Sequence, residues 1–498
     1  MFRPTRASRR PWVGKLWILG LFIGGIVLWG AFYEWGRFPL TFHDWAQVTT
    51  PRFLFLKDAI LNGILPLHIS GPSALGNVTD RYLSIPDAFL SPQALLLASL
   101  PVGGFVLVNQ VLMYSLGFLG LLWFERKYRL SPFAFTILFL LYNFNGHVLS
   151  HFAVGHDTWG GYFLFPWFAM LVISMLEGER TWGWVAKTAV LLFVMILQGS
   201  FHQFVWCLIF LGLLALTTWK VFLPALAAAF FAVAISLFRL LPPSLLLNQF
   251  GKAYAYMGGY PTVGDLWQAM VNIRLPGVYT YPPYVQMILG SWEFDLYVGL
   301  LGVAFLLTFG VYFWWKNRAD AGPLNSLVLP LLGVAILSIG DVYQIARVTH
   351  IPLLDGERVS TRMISLPFVF LLILAVREFQ RWLDRVKVTN PIRVAEVALL
   401  FVGSADLWRN FNAWKLANTH LAFDYAPIFS DIWYAVVKPD APYERILILG
   451  ATGTMISLVV ALYLAWMESR GAIHLARRAG PRAVPAGAPI RQPIPLTG

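Results

Sequence analysis

Long apolar runs separated by polar connections dominate the chain. A membrane-spanning helix needs about 20 mainly apolar residues, and about twelve runs approach that length. These runs are residues 13–35, 103–124, 130–146, 159–176, 185–200, 202–218, 221–241, 297–315, 324–340, 362–377, 392–408 and 446–467. The pattern predicts an all-α polytopic membrane protein with about 12 transmembrane helices.

Composition indicates the same class. Of all residues 58% are hydrophobic and 12% are charged, whereas about 25% of the residues of a soluble domain are charged. The first run is longer than a signal-peptide core and is followed by no small-residue cleavage site, so we expect it to be retained as a span. The one cysteine, Cys207, lies inside a run, which excludes a disulfide framework and a thiolate metal site.

The basic residues indicate a topology rather than nucleic-acid binding. The net charge is +12, but Lys and Arg are concentrated in segments on the same side as the N-terminus, as the positive-inside rule requires of cytoplasmic segments. We therefore expect both termini in the cytoplasm, membrane lipids as partners, and no nucleic acid. The predicted outer segments are residues 36–102, 143–158, 242–296, 341–361 and 409–445.

Three regions follow from this topology. Residues 1–408 are predicted to form the transmembrane core, which carries the first four outer segments. Residues 409–468 contain the last outer segment and the last span. Residues 469–498 are rich in Pro, Ala and Arg and are predicted to form a flexible basic cytoplasmic tail.

The first outer segment places an acid beside a short helix. Thr50 and Pro51 are predicted to begin this helix and Gly63 to end it, and its one-sided apolar pattern suits an interfacial position. Asp44 then lies at the membrane edge near Arg52, where a carboxylate can accept a proton from a hydroxyl nucleophile. The alternative is that Asp44 caps a turn.

The second polar region covers residues 142–167. His147 and His151 are four apart on one helix face, which suits a divalent metal ion, but no HExxH motif or carboxylate ladder accompanies them. We therefore expect no cofactor and no metal site, and a divalent metal ion is the alternative. His156 and Asp157 are predicted to line the same outer cleft as Asp44, and the alternative for Asp157 is a helix cap.

The third polar region combines arginines and acids at the later spans. Arg358 and Arg362 are four apart, and we expect them to share a helical face and to bind phosphate through their guanidinium forks. The alternative is ion pairing with the neighbouring acids Asp355 and Glu357. Glu293 ends another outer segment and is predicted either to hold a sugar hydroxyl or to pair with an outer arginine.

Several stretches, taken in order, resemble a known family. Phosphate-loop, dinucleotide-binding and serine-hydrolase motifs are missing from any suitable context in the sequence. The order of features instead resembles the membrane glycosyltransferases of the GT-C type and, more closely, the bacterial YfhO-like membrane proteins. The matching stretches are "HDW" after the first run, "LKDAILNGILPLHISGPSALGN", "WGGYFLFPW", "QGSFHQFVWCLIFLGL", "LLPPSLLL", "WEFDLYVGLLG" and "GERVSTRMISLPFVFLLILA".

The resemblance implies transfer of a sugar from a polyprenyl-phosphate donor to an acceptor on the outer face of a bacterial inner membrane. By position in the motifs, Asp44 is the expected base, and Arg358 and Arg362 are the expected ligands of the donor phosphate. The remaining site predictions are Arg52 for the phosphate and, for the substrate, His43, His156, Asp157 and Glu293. The alternative is a non-catalytic subunit or scaffold of a larger membrane complex that retains the GT-C fold, because the last outer segment is short.

Overall fold

The computed structural model describes residues 11–70, 79–244, 256–279, 289–349, 357–386, 389–423 and 433–475, and it is mostly helical. Each of the apolar runs predicted from the sequence falls on helical structure. The α-helices are α1 (Pro11–Phe32), α2 (Thr50–Leu61), α3 (Val102–Tyr128), α4 (Pro132–Asn143), α5 (Gly146–Val154), α6 (Phe165–Leu176), α7 (Trp182–Leu197), α8 (Phe201–Thr217), α9 (Phe222–Ile235), α10 (Leu237–Ser244), α11 (Val263–Val271), α12 (Gly299–Phe305), α13 (Phe313–Lys316), α14 (Arg318–Ala321), α15 (Val328–Leu337), α16 (Gly340–Arg347), α17 (Ser365–Arg385), α18 (Asn390–Trp414), α19 (Leu416–Thr419) and α20 (Ala441–Ser469).

Shorter 3-10 and π segments join or extend these helices. The 3-10 segments are Glu34–Gly36, Tyr82–Ser84, Pro92–Ala98, Asp157–Leu164, Trp219–Val221, Ser291–Phe294, Gly322–Leu327, Ser360–Ile364 and His420–Ala422, and the π segments are Trp45–Thr49 and Leu306–Tyr312. Local sequence sets several boundaries: Ser131 and Asn145 cap α4 and α5 through side-chain oxygens that accept backbone N–H bonds. Gly155 ends α5 in a left-handed conformation.

Eight helical segments are long and apolar enough to cross a membrane, and a bent pair, α9 with α10, makes up to nine among the described residues. Helices α7 and α8 are apolar but shorter. This is the architecture of an all-α, multi-pass membrane protein. The expected count of about 12 spans is larger because the sequence runs include short helices and the less apolar α18.

Three segments form the centre of the helix bundle. In Pro132–Val154, Asp157–Leu176 and Ser360–Arg385, 89%, 94% and 89% of the apolar window is buried inside the protein. In the peripheral segments Trp12–Phe32 and Ala441–Ser469 the buried share is 22%, and the exposed remainder is the surface that lipid would cover. The central segments are therefore the ones that position polar side chains away from lipid.

A small sheet links the first long connection to the start of α20. Strand β1 (His68–Ile69) pairs antiparallel with β4 (Ala435–Val436), with His68 opposite Val436, while β2 (Val278–Tyr279) pairs with β3 (Leu289–Gly290). Arg81 reinforces the first pairing, because its Nε and Nη2 donate to the two carboxylate oxygens of Asp440 at 2.7 and 2.9 Å. The connection before α3 is thus attached to the last described helix.

Helix α2 begins at Thr50 and ends before Gly63, as the sequence predicts. Gly63, just past its end, has a φ of +64°, which favours glycine. Thr50 is not an N-cap, because the π segment before it is already helical and the Thr50 hydroxyl donates to the Leu40 carbonyl at 3.2 Å. The apolar face of α2 is covered by protein, since the Phe53 ring packs on that of Phe89. The interfacial position of the helix stays a prediction.

A buried arginine holds the loop that precedes α3. Helices α9 and α10 meet at a bend of 71°, and Arg239, just past the bend, is 0% exposed. Its Nη1 donates to the Leu83 carbonyl at 3.1 Å, and its Nη2 donates to the carbonyls of Ile85 and Ala88 at 3.0 Å each. The carbonyl groups of this loop, which also carries Asp87, are therefore oriented around one guanidinium group.

Candidate functional site

Five polar side chains meet at one end of the central helices, and we call them the polar cluster: Asp44, His151, His156, Glu293 and Arg362. Asp44 precedes α2, His151 lies in α5, and His156 follows α5 directly. Glu293 and Arg362 lie in the 3-10 segments that lead into α12 and α17. Residues far apart along the chain thus meet where apolar spans begin or end.

Close backbone contact positions Asp44 against the end of α5. Gly155 has a φ of +102°, and a Cβ atom there would lie 2.4 Å from the Trp45 backbone nitrogen. The Thr49 hydroxyl donates to the Gly155 carbonyl at 2.6 Å, and the Trp45 indole donates to the Ala153 carbonyl at 3.0 Å. The "HDW" segment therefore depends on glycine at the end of α5.

Asp44, His156 and His151 form a continuous chain of hydrogen bonds. His156 Nε2 lies 2.8 Å from Asp44 Oδ2, and His156 Nδ1 lies 2.7 Å from His151 Nδ1. The His151 side chain is fully buried, whereas Asp44 is 28% exposed. The chain of polar groups therefore runs from a partly open carboxylate into the protein interior.

Trp159 forms one wall of the cluster. The His151 ring stacks on the indole at a centroid distance of 4.2 Å, and the Arg362 Cζ lies 5.0 Å from the indole centroid, within cation–π range. The Trp159 Nε1–H donates to His147 Nε2 at 3.0 Å. His147 is therefore occupied by the indole, and the metal pair considered from the i, i+4 spacing is replaced by a contact between His151 and His156.

Arg362 and Glu293 form a two-point ion pair. Arg362 Nε donates to Glu293 Oε2 at 2.7 Å, and Arg362 Nη2 donates to Glu293 Oε1. The Trp292 indole also donates to Glu293 Oε1 at 3.1 Å. Of the two alternatives that the sequence left open for Glu293, the structure has the pairing with an arginine.

Electrostatics keeps Asp44 ionised. Burial acts to raise the pKa of Asp44, but the hydrogen bond and charge of His156, with smaller effects of His43 and Arg362, lower the pKa to about 2. His43 lies beside Asp44 at 3.6 Å from Nδ1 to Oδ1. Burial is the main cause that lowers the pKa of His43 below its usual value, so its neutral form is favoured at neutral pH.

A second carboxylate–histidine pair adjoins the cluster. Glu357 Oε2 accepts hydrogen bonds from the Trp206 indole at 2.9 Å and lies 3.0 Å from His202 Nδ1. Although burial opposes it, the pKa of Glu357 is lowered, first by His202 and also by Arg362. Sequence reasoning missed this pair; the polar His202 inside an apolar run was the available signal.

Arg52 and Asp157 contact residues outside the polar cluster. Arg52 Nη1 forms an ion pair with Asp87 at 3.1 Å, rather than facing Asp44. Asp157 is 6% exposed and hydrogen-bonds to Asn109, and His156 rather than Asp157 is the N-cap residue of the 3-10 segment that follows. The capping alternative for Asp157 is therefore wrong, and the predictions that Arg52 binds the phosphate and that Asp157 lines the outer cleft stay predictions.

Arg358 does not share a helical face with Arg362. Val359 between them is extended, with φ −133° and ψ 94°, and the Arg358 Nη2 group donates to the Met257 sulfur at 3.0 Å. Arg362 pairs with Glu293 instead of the neighbouring acids proposed as the alternative; of those acids, Asp355 lies outside the described residues. The expected shared helical face is therefore wrong, and phosphate binding by Arg358 stays a prediction.

Three members of the cluster have the spacing of metal ligands. One ring nitrogen of His151, one of His156 and a carboxylate oxygen of Glu293 all lie within 4.8 Å of one another. The cluster can thus offer a carboxylate base, a guanidinium group for an anion, and nitrogen and oxygen donors for a cation. No protein-family model, curated protein or solved structure matches the chain, so the chemistry of the cluster is what indicates function.

Proposed function

We propose that the protein transfers a sugar from a polyprenyl-phosphate donor to a hydroxyl acceptor at the outer surface of a bacterial inner membrane. The observation that carries the proposal is that Asp44 and Arg362, which are far apart in sequence, belong to one cluster at the end of the membrane spans and interact electrostatically. A carboxylate and a guanidinium group at the boundary of lipid and water suit a reaction between a lipid phosphate and a polar hydroxyl.

Asp44 is the proposed proton acceptor. The acceptor hydroxyl oxygen attacks the anomeric carbon, its proton passes to Asp44, and the bond from that carbon to the phosphate oxygen breaks. The bonding electrons leave with the polyprenyl phosphate, so a single displacement inverts the anomeric configuration. Asp44 is suited to this role because its carboxylate is partly exposed while His156 fixes one of its oxygens.

Arg362 is the proposed ligand of the departing phosphate. Its pairing with Glu293 uses Nε and Nη2, and among the described residues Nη1 has no hydrogen-bond partner. An incoming phosphate can therefore bind Nη1 first and then compete with Glu293 for the rest of the guanidinium group. Loss of one such charge-stabilising donor lowers rates by about 10²–10³-fold in other enzymes.

The test is sugar transfer in proteoliposomes that contain the full-length protein, bacterial membrane lipids and synthetic polyprenyl-phosphate hexoses, with release of polyprenyl phosphate as the readout. We expect Asp44→Asn to abolish release and Arg362→Lys to reduce it about 10²-fold. The matched controls are Glu444→Gln and Arg445→Lys, because both residues are exposed at the start of α20. Full release by Asp44→Asn would overturn the assignment of the base.

A non-catalytic membrane subunit is the second candidate. Arg362 and Arg52 both pair with acids of the same chain. Such pairs favour this candidate because they are also expected where arginines only stabilise the fold. Gentle purification separates the two functions: stoichiometric retention of a membrane complex, together with no release from any hexose donor, would favour the scaffold. Release by the isolated protein would exclude it.

A further inference from the structure

One buried imidazole nitrogen in the polar cluster has a lone pair that accepts no hydrogen bond from the described residues. A neutral His156 that donates its Nε2–H to Asp44 keeps the lone pair on Nδ1. The 2.7 Å contact between the two Nδ1 atoms then requires His151 to donate, since one proton must lie between them. His151 Nε2 is buried and has no hydrogen-bond partner among the described residues, so its lone pair can take up the proton that lies between the two Nδ1 atoms and leave both of these atoms free to bind an ion.

Buried charge around this nitrogen is unbalanced. The carboxylates of Asp44, Glu293 and Glu357 all interact with one guanidinium group, that of Arg362. Three carboxylates thus share one guanidinium group. Buried negative charge is costly unless it is paired or coordinates a cation.

We infer that His151, His156 and Glu293 form a binding site for a divalent transition-metal ion such as Zn²⁺. Two imidazoles and one carboxylate are typical ligands of such ions, and an added divalent cation would neutralise the excess charge. The inference is independent of sugar transfer, because it concerns metal binding alone.

Asp44 has the position of a supporting group in this site. A metal-ligating histidine usually donates its other ring N–H to a carboxylate, which fixes the tautomer and strengthens the ligand. Asp44 occupies this position on His156 Nε2, so His156 offers Nδ1 to the ion. The same hydrogen bond that orders Asp44 therefore also prepares His156 as a ligand.

The site must open slightly to accept the ion. In a tetrahedral site with Zn–N bonds of about 2.0–2.1 Å, two ligand nitrogens lie about 3.3 Å apart. If the ion binds both Nδ1 atoms, these must separate from 2.7 Å by a few tenths of an ångström, and the His151 proton moves to Nε2. Arg362 need not leave, because a carboxylate has about four lone-pair sites, of which the Arg362 fork uses two and the Trp292 indole one.

Metal binding to the full-length protein in detergent tests the inference. The protein carries a purification tag without histidine, is treated with chelator, and is titrated with Co²⁺ while its visible absorption is recorded; bound Zn²⁺ is then counted by elemental analysis after gel filtration. We expect one equivalent of metal per chain. We expect His151→Gln and His156→Gln to lose it, and Asp44→Asn to bind about 10–100-fold more weakly.

His420→Gln is the matched control, because His420 lies outside the cluster and contacts the Leu416 carbonyl. This variant should bind like the wild type. Thermal unfolding curves identify any histidine variant that fails to fold. In that case the Asp44→Asn variant, which changes a partly exposed residue, tests the site instead. Failure of the wild type to bind metal, or equal binding by the His151 and His156 variants, would overturn the site whatever the outcome for sugar transfer.

Discussion

Glu293 accepts two hydrogen bonds from Arg362 although 69 positions separate the two residues. Their side chains are 4% and 13% exposed, so neither charge is well hydrated. Because the pair lies where two helical segments, Ser291–Lys316 and Ser360–Arg385, begin, it fixes the relative position of these segments as well as the charge of the site.

Removing one partner of this pair should destabilise the protein strongly. We expect Glu293→Gln to lower the free energy of unfolding by about 3–5 kcal/mol, because it leaves Arg362 buried without its partner. Unfolding in detergent, followed by tryptophan fluorescence, measures the change. Glu179→Gln is the control, since it removes an exposed ion pair with Lys187 of a kind that contributes about 0–1 kcal/mol. The double variant Glu293→Gln/Arg362→Gln should recover part of the loss; strictly additive effects would contradict a coupled pair.

Replacing the arginine beside the bend of α9 should release the loop before α3. Arg239→Met removes the guanidinium N–H donors to the carbonyls of Leu83, Ile85 and Ala88, and a buried carbonyl without a donor is unfavourable by about 1–3 kcal/mol. We expect a lower unfolding temperature and faster proteolysis within residues 79–91. Arg445→Met, an exposed change of the same type, should alter neither. Unchanged proteolysis in Arg239→Met would show that the loop does not need these bonds.

Gly155→Ala should separate Asp44 from His156. The substitution adds a Cβ atom that collides with the Trp45 backbone and strains a positive φ. Gly178→Ala provides the matched control, because Gly178 has a φ of +121° but nothing within 4 Å of the added Cβ. The strain alone is unfavourable by about 1–3 kcal/mol, so Gly155→Ala should exceed the control in loss of thermal stability. Equal losses would mean that the close approach is tolerated.

Acid should loosen the attachment of the first long connection to α20. Burial opposes the shift, but the Lys438 ammonium group lowers the pKa of Asp80, and the Arg81 guanidinium group likewise lowers the pKa of Asp440. Since the pKa in the folded state is below the unfolded value of about 3.9, the stabilisation is present above that pH and is lost as pH falls through the folded pKa.

Hydrogen exchange in β1 and β4 measures this effect. The backbone amide hydrogens of β1 and β4 should exchange slowly at pH 6. Below pH 4, after correction for intrinsic rates, they should be markedly less protected. Asp80→Asn/Asp440→Asn should show weak protection at both values. Protection that is independent of pH in the wild type would mean that the ion pairs do not hold the strands.

The periodicity of hydrophobic residues and the turn residues predicted the local features of the fold. The apolar runs gave the helices, and Gly63 gave the end of α2, because these features depend on neighbouring residues. The π segment that precedes α2 was not predicted, since no pattern in the sequence indicates it. The alternation of apolar and polar positions also could not distinguish a face covered by protein from a face covered by lipid.

The polar cluster was predicted only in part for a related reason. Asp44, His156, Glu293 and Arg362 were each selected as polar residues near span ends, and the structure brings them together. Their partners could not be derived, because spacing within one segment gives no information on which distant segment it will meet. Thus Arg358 and Arg362 were grouped by their separation, whereas Arg362 meets Glu293. The resemblance to GT-C proteins remains a prediction.

The pairing of β1 with β4 has a consequence for biosynthesis. The partners Arg81 and Asp440 are 359 positions apart, and a ribosome that adds about 5–20 residues per second needs about 20–70 s to cover that distance. During this interval β1, which lies downstream of Asp44, has no partner strand in the nascent chain. Formation of the β1–β4 pair is therefore timed by synthesis of the segment before α20, and a ribosome that stalls earlier leaves the preceding helices without this pairing.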